Sequence, residues 1–146
     1  MEIRRMTEAD LEQVCAIENE TFSDPWSEDD FRNSLLDDKN DYLVVDIDGT
    51  IAGYCGFWGV MDEGDIFNVA VKKKYRRQHI GADMMKALIE KGRARGIASF
   101  TLEVRYSNEP AIRLYEDLGF QRAGIRKDFY SKPKEDAVIM WLNTIQ

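Results

Sequence analysis

Apolar and polar positions along this chain switch between two rhythms, one near every third or fourth residue and one at every second. Each switch marks the end of an element. After Thr7-Glu-Ala-Asp10, a start that resembles a capping box, Leu11, Val14 and Ile17 recur at threes and predict a first helix with one buried stripe. Asp24-Pro25-Trp26 ends it. Ser27 can cap a second, short helix in which Phe31 and Leu35 share a face. Two β-rich runs, 42–47 and 50–58, flank Asp48-Gly49, a dipeptide that supplies the positive φ of a two-residue hairpin turn. Asp62-Glu63-Gly64-Asp65 is expected to turn the chain again, and 66–71 to return as a third strand. From 80 to 95 the helical period resumes. Ile80, Met84, Ala87 and Leu88 line one side, while Lys86, Glu90, Lys91 and Arg93 cover the other. Gly96 is the expected stop. Residues 97–105 alternate, with Phe100, Leu102 and Val104 on one face and Ser99, Thr101 and Glu103 on the other. Ser107-Asn108-Glu109-Pro110 reads as a helix start, and Gly119 as the end of that helix. Two last strands, 120–130 and 137–142, form a hairpin around a polar turn at 132–136.

The order is ααβββαβαββ, with a further strand at 2–5. Residues 66–104 read strand, helix, strand. A right-handed crossover makes those two strands parallel, so the fold class is mixed-sheet α/β. A length of 146 residues, 44% of them hydrophobic, suits one domain over 1–146. No apolar run approaches the ~20 residues of a membrane helix, and Met-Glu-Ile-Arg-Arg carries no apolar signal segment. The expectation is a cytoplasmic protein that meets no membrane. Cys15 and Cys55, far apart and without CxxC spacing, read as buried thiols, with a disulfide as the alternative. His79, the single histidine, excludes a multi-histidine metal site, and no metal is expected. A net charge of −7 argues against general nucleic-acid binding and leaves room for a cationic partner, a basic peptide or an amine. Acidity serving solubility alone is the plainer reading.

One segment runs against that charge. Lys72, Lys73, Lys74, Arg76 and Arg77 stand between the third strand and the helix that opens at Ile80. A cationic loop feeding a helix N-terminus can hold a pyrophosphate, with the backbone N–H groups of Gln78, His79, Ile80, Gly81 and Ala82 as the cradle and Arg76 and Arg77 as the screen. A solvated basic loop is the alternative.

Val69-Ala70-Val71 followed by Arg76-x-x-x-x-Gly81-Ala82 resembles the acetyl-CoA motif of the GNAT superfamily of N-acetyltransferases. His79 departs from the pattern, standing where R-x-x-G-x-G/A has its first glycine. The expectation is a helix-like backbone there, so that only the N–H matters. Asn108-Glu-Pro-Ala-Ile-Arg-Leu-Tyr-Glu-Asp-Leu-Gly-Phe120 is similar to the superfamily's N-x-x-A-x-x-L-Y-x-x-x-G-F signature. Phe67-Asn-Val-Ala-Val71, Leu102-Glu-Val-Arg105, Pro25-Trp26-Ser27 and the late run from Asp128 to Met140 narrow the likeness to the ribosomal-protein-alanine N-acetyltransferases.

The resemblance implies a GNAT fold, a single-layer, largely antiparallel sheet with one parallel crossover, flanked by helices. It implies acetyl-CoA as cosubstrate and no metal. Glu103 falls on the family's catalytic base and Tyr115 on the acid that protonates the sulfur. Asn108 and the cradle fall on the cofactor, and backbone N–H groups of Val69, Ala70 and Val71 would orient the thioester carbonyl. The implied acceptor is the basic N-terminal peptide of a small-subunit ribosomal protein, ending in alanine's α-amine, and the implied state is a monomer or weak dimer. Acids such as Asp62, Glu63, Asp65, Glu135 and Asp136 could receive that tail, with Trp26, Trp58 and Tyr130 as walls. By residue type alone, Glu103 is equally a salt-bridged sheet-edge carboxylate and Tyr115 a core tyrosine. Rival readings are a GNAT enzyme for a lysine, polyamine or small amine, a non-catalytic acyl-CoA-binding module, and a nucleic-acid-binding domain built on the basic loop.

Overall fold

A computed structural model describes residues 1–143. Seven strands form one sheet: β1 (Glu2–Arg5), β2 (Asn40–Ile47), β3 (Thr50–Val60), β4 (Glu63–Val71), β5 (Ser99–Arg105), β6 (Gln121–Ser131) and β7 (Lys134–Asn143). Their order is β1-β2-β3-β4-β5-β7-β6. Every neighbouring pair is antiparallel except β4 and β5, which run parallel across a helical crossover. The helices are α1 (Leu11–Thr21), α2 (Glu28–Leu35), α3 (Ile80–Ala94) and α4 (Glu109–Asp117).

The alternation of each strand splits the interior into two layers. Phe57, Ile66, Phe100, Leu102 and Val104 face α3 and α4, where they meet Met84, Leu88, Ile112 and Tyr115. Tyr42, Val44, Ile51, Tyr54 and Ala70 face α1 and α2, where they meet Leu11, Val14 and Phe31. The stripe read from the spacing of α1 is the buried one. Thr7 caps a 3-10 turn, Glu8–Asp10, that precedes α1, and the Asp10 carboxylate accepts from the Thr7 N–H at 2.8 Å. Asp48 and Gly49 both take positive φ in the β2–β3 turn, as their residue types require.

Two turns differ from expectation. The β3–β4 turn lies at Met61-Asp62, with Met61 left-handed, and residues 63–65 are already strand, Glu63 opposite Val60 and Asp65 opposite Trp58. Gly64 is not there to turn the chain. A Cβ on it would lie 2.8 Å from the Phe100 ring, so its bareness lets that ring pack. The last hairpin is also tighter than 132–136, because Lys134 and Glu135 pair with Ser131 and Tyr130.

The decisive irregularity is in β4. Ile66 pairs with Phe57 and Asn68 with Gly56, which leaves Phe67 as the extra residue of a β-bulge. A bulge bends its strand. The β4–β5 ladder runs from Glu63–Ser99 to Ile66–Leu102, and among the described residues no β4–β5 pair follows. The two strands continue past that point as arms, 67–71 still held by β3 and 103–105 by β7 but not paired with each other, so the sheet opens between them.

Candidate active site

The open seam and the two ends that meet there define the site. At the far end of the β4 arm, Lys73–Tyr75 form a 3-10 turn, and the chain then enters α3. Arg76 donates from Nε to the Val71 carbonyl at 3.0 Å, which fixes the stem of its side chain while the guanidinium stays exposed. Arg77 and His79 are both left-handed, with φ of 66° and 63°. The helix-like backbone expected at His79 is therefore wrong: the position does adopt the conformation for which glycine is best suited, and histidine occupies it as the residue before the helix. The first backbone bond of α3 to close on the loop is Asp83 N–H to His79 O, 3.0 Å. The N–H groups of His79, Ile80, Gly81 and Ala82 thus have no acceptor among the described residues and lie at the positive end of a 15-residue helix. Gly81 faces Leu114 and Val71, where a Cβ would sit 3.4 Å from Leu114 Cδ2, so this first turn hugs both α4 and β4. Not all the cations share the mouth of the helix. Lys73 and Lys74 belong to the 3-10 turn, where the Lys73 N–H bonds Glu20 at 3.2 Å.

On the other arm, Glu103 sits on β5 one residue past the last β4–β5 pair, opposite Ile139 of β7 on one side and bordering the opening on the other. It faces the α1/α2 side, opposite to Leu102 and Val104. Its Oε1 lies 3.8 Å from Arg126 Nη2, a loose pair with a half-exposed partner. Asp65, Ile66, Phe67, Thr101, Ile139 and Trp141 join these two around a cavity of about 290 Å³. Of these lining residues only Glu103 and Asp65 were named as site candidates, both through the family likeness. Phe67 and Trp141 were hidden among strand hydrophobes, and the signal that could have found Phe67 is a large aromatic in phase with Glu63 and Asp65 on the polar face of its strand.

Tyr115 lies on the opposite face. Its ring is buried against Phe120, centroids 5.9 Å apart, and its hydroxyl has no hydrogen-bond partner among the described residues. Burial pushes its phenol above the ordinary tyrosine value, and Tyr130 and Cys55 push it further. Cys55 is paired with Val69 in the β4 arm, which puts the Tyr115 neighbourhood beside the open seam. Asn108 caps α4 by accepting from the Ala111 N–H at 3.3 Å, which leaves its amide N–H₂ unspent.

The acids proposed for a basic tail separate cleanly. Glu135 is held by Arg105 at 3.2 Å and by the Ser107 N–H at 2.7 Å. Asp136 accepts from the Asp128 N–H at 2.8 Å. Asp62 and Glu63 are exposed at the β3–β4 turn. Asp65 alone of the five lines the Glu103 cavity. The walls differ too. Tyr130 carries the Arg105 guanidinium on its ring at 4.2 Å, while Trp26 and Trp58, 5.7 Å apart, line a separate cavity of about 570 Å³ beside α2. Phe67, whose ring is 4.5 Å from Trp58, stands between the two cavities.

Behind the site is a buried polar chain. Glu18 accepts from the Trp26 N–H at 3.0 Å and from the Tyr54 hydroxyl. Tyr42 donates to Asn68 Oδ1 at 3.2 Å, and Trp58 Nε1 bonds Ser34 and Tyr42 at 2.9 Å each. These bonds tie the bulged segment to α1, α2 and the loop between them.

Known proteins are similar to this chain in sequence and in fold. The family model described as the acetyltransferase (GNAT) family matches residues 11–120. A Bacillus subtilis protein provisionally named a ribosomal protein bS18-alanine N-acetyltransferase is 42% identical over 141 residues, 96% of this chain and 93% of that protein. The ribosomal protein bS18-alanine N-acetyltransferase of Escherichia coli is 37% identical over 142 residues, 96% of this chain and 95% of that one. The crystal structure of the Escherichia coli ribosomal-protein-S18-alanine N-acetyltransferase superposes with a TM-score of 0.91 at 35% identity, over 99% of this chain and 94% of that chain.

Proposed function

The chain belongs to the GNAT family of acetyltransferases, and on that premise we propose that it acetylates the N-terminal alanine of a small-subunit ribosomal protein, bS18 in its relatives' names, by direct attack of the α-amine. The observation that carries the reading is the seam: a gap in the sheet with a carboxylate on one face, a phenol on the other and an unsatisfied helix N-terminus at its open end.

Acetyl-CoA fits what these residues offer. The free N–H groups of His79, Ile80, Gly81 and Ala82, with Gln78, Arg76 and Arg77, would hold its pyrophosphate. The β4 arm at Val69, Ala70 and Val71 has backbone groups without a β5 partner, which suits hydrogen bonding to its pantetheine and thioester, and the Asn108 amide would add a further bond. When bound it supplies an activated acetyl group: a nitrogen–carbon bond forms to the amine as the carbon–sulfur bond breaks.

The rest falls to the protein. Glu103, on the acceptor face, takes the proton from the amine. An α-amine with a pKa of ~7.7–8.0 asks less of that base than a lysine at ~10.4. Tyr115, kept protonated by burial, gives its proton to the departing sulfur from the other face. Base and acid on opposite sides of one gap let the acceptor approach from the α1/α2 side while the thiol leaves toward α4.

The test is thiol release with a short peptide beginning Ala-Arg against its N-blocked twin. Release only with the free N-terminus is expected. Equal release with both, or release that follows an internal lysine, would overturn the α-amine assignment. Binding of acetyl-CoA with no turnover on any amine would leave only the non-catalytic reading.

A further inference from the structure

The cavity beside Glu103 contains a second carboxylate that the chemistry above does not use. We propose that Asp65 is a specificity-determining residue, whose carboxylate receives a cationic side chain carried just downstream of the reacting α-amine. The proposal rests on the α-amine reading and adds to it the chemistry of the acceptor's next residue.

Position comes first. Asp65 pairs with Trp58 on β3 and with Thr101 on β5, and Thr101 pairs with Trp141 on β7. Trp58, Asp65, Thr101 and Trp141 thus form one row across the α1/α2 face. Glu103 stands one strand over from Asp65 and two residues further along. At ~3.3 Å per residue and ~4.8 Å between strands, their Cα atoms are separated by about 8 Å, with both side chains on the same face. One Cα–Cα step of ~3.8 Å plus the reach of a lysine or arginine side chain spans that interval. The row also lies on the closed side of the seam, away from the loop at Arg76–Ala82, so an acceptor leaving the amine in this direction does not meet the cofactor.

Charge comes next. Asp65 is half-buried and has no hydrogen bond or ion pair among the described residues. Arg126, the cation in the cavity lining, lies 3.8 Å from Glu103 and makes no ion pair with Asp65 among the described residues. Burial pushes the Asp65 carboxyl above the usual carboxylate range, the mark of a charge held without its partner. An acceptor guanidinium or ammonium supplies that partner, and the exposed faces of Trp58 and Trp141 flank the place where it would lie.

Two peptides identical except for Ala-Arg or Ala-Gln at their start test this with the whole chain. The wild-type protein is expected to favour Ala-Arg by about tenfold in kcat/KM, the scale of one partly desolvated charge pair. Asp65→Asn brings the ratio near one, with the loss in KM for the arginine peptide rather than in kcat. Asp65→Lys reverses the preference toward an Ala-Glu peptide, and Asp65→Glu restores the arginine preference in part. An unchanged ratio in Asp65→Asn, or no preference in the wild type, overturns the proposal. Failure of the α-amine reading registers separately, as turnover of the N-blocked control.

Discussion

At the scale of single residues, the site is defined by side chains whose surroundings decide their chemistry. Glu103 and Tyr115 are the pair proposed to carry turnover. Glu103→Gln keeps the shape and removes the base, and kcat is expected to fall by about 10²–10³-fold with little change in KM for acetyl-CoA. Tyr115→Phe should cost about 10–10² in kcat, and steady-state kinetics with both substrates varied checks each. His79 is a separate matter of backbone. Its φ of 63° carries a conformational cost on the order of 1 kcal/mol that glycine avoids. His79→Gly should therefore raise stability by about 0.5 kcal/mol, the relief being partly offset by the looser unfolded chain. His79→Val, β-branched in a left-handed position, should lower it by about 1–2 kcal/mol. Urea denaturation reads both. Asp10 shows the same dependence on partners. Burial pushes its carboxyl up, but the bonds from Arg4 and Thr7 outweigh it and hold the group below its ordinary 3.8. The unfolded chain then binds the proton more readily than the folded one. Asp10 contributes its stability in full above about pH 4 and loses it as pH falls through the lower folded-state value. Asp10→Asn should cost about 2 kcal/mol at pH 7, and its gap to the wild type should close during acid denaturation below pH 4.

At the scale of elements, the bulge at Phe67 makes the site, and Gly56 opposite it makes the bulge tenable. Tyr42, Gly56 and Asn68 form one cross-strand row, and a Cβ on Gly56 would lie 2.2 Å from the Tyr42 ring. The bare position lets that ring lie flat across β3 and reach Asn68. Gly56→Ala should push the ring away, break the 3.2 Å bond to Asn68 and cost about 2–3 kcal/mol, with acetyl-CoA affinity falling because the β4 arm is no longer held. Thermal unfolding and isothermal titration check the two halves of that expectation. The elements themselves were largely legible in the sequence. Asp48-Gly49, Gly96, Asn108 and Gly119 each announce a turn or an end through their own backbone needs, and α1 and α3 show their buried faces in their spacing. What was not legible depended on neighbours distant in the chain. Gly64 looks like a turn residue until Phe100 is seen beside it. Phe67 reads as one more strand hydrophobe, because a bulge is a relation between two strands and leaves no mark in one. The positive φ of His79 is likewise set by how the loop must climb from β4 into α3, and the motif's missing glycine was the one hint of it. The roles of Glu103 and Tyr115 came from a family likeness; composition and spacing alone left both open.

At the scale of the whole molecule, the opening proposed to serve function is also the sheet's weakest line. Among the described residues, the ladder between β1–β4 and β5–β7 runs from Glu63–Ser99 to Ile66–Leu102, with Ala98 N–H to Asp62 O just before it, and past Ile66–Leu102 it ends. The layer under α3 and α4 bridges the break, with the Phe57 and Phe100 rings 5.4 Å apart across it. Those contacts are proposed to make the chain unfold as one unit over 1–146, in a single transition by calorimetry. Phe100→Ala should remove about 3–5 kcal/mol and is the substitution most apt to separate the halves into two transitions. Acetyl-CoA acts in the other direction. Its proposed ligands come from α3 and β4 on one side of the seam and from α4 on the other, so binding ties the halves together where the ladder is missing. A ligand at a hundred times its dissociation constant stabilises by about 2.7 kcal/mol, which for a chain of this size is a rise in Tm of about 5–10 °C. That rise should shrink with salt. The chain is acidic overall at −7, and the attraction proposed for the phosphates comes from Arg76 and Arg77 in the loop at the mouth of α3, where a Debye length of ~10 Å at 0.1 M leaves little beyond the nearest charges. Between 0.05 and 0.5 M salt the affinity for CoA should fall several-fold, while the unliganded Tm moves little. Arg76→Ala/Arg77→Ala should flatten that salt dependence and leave the backbone cradle's share of the binding behind. A salt response unchanged by the double substitution would locate the phosphates away from this loop, and with them the far end of the seam.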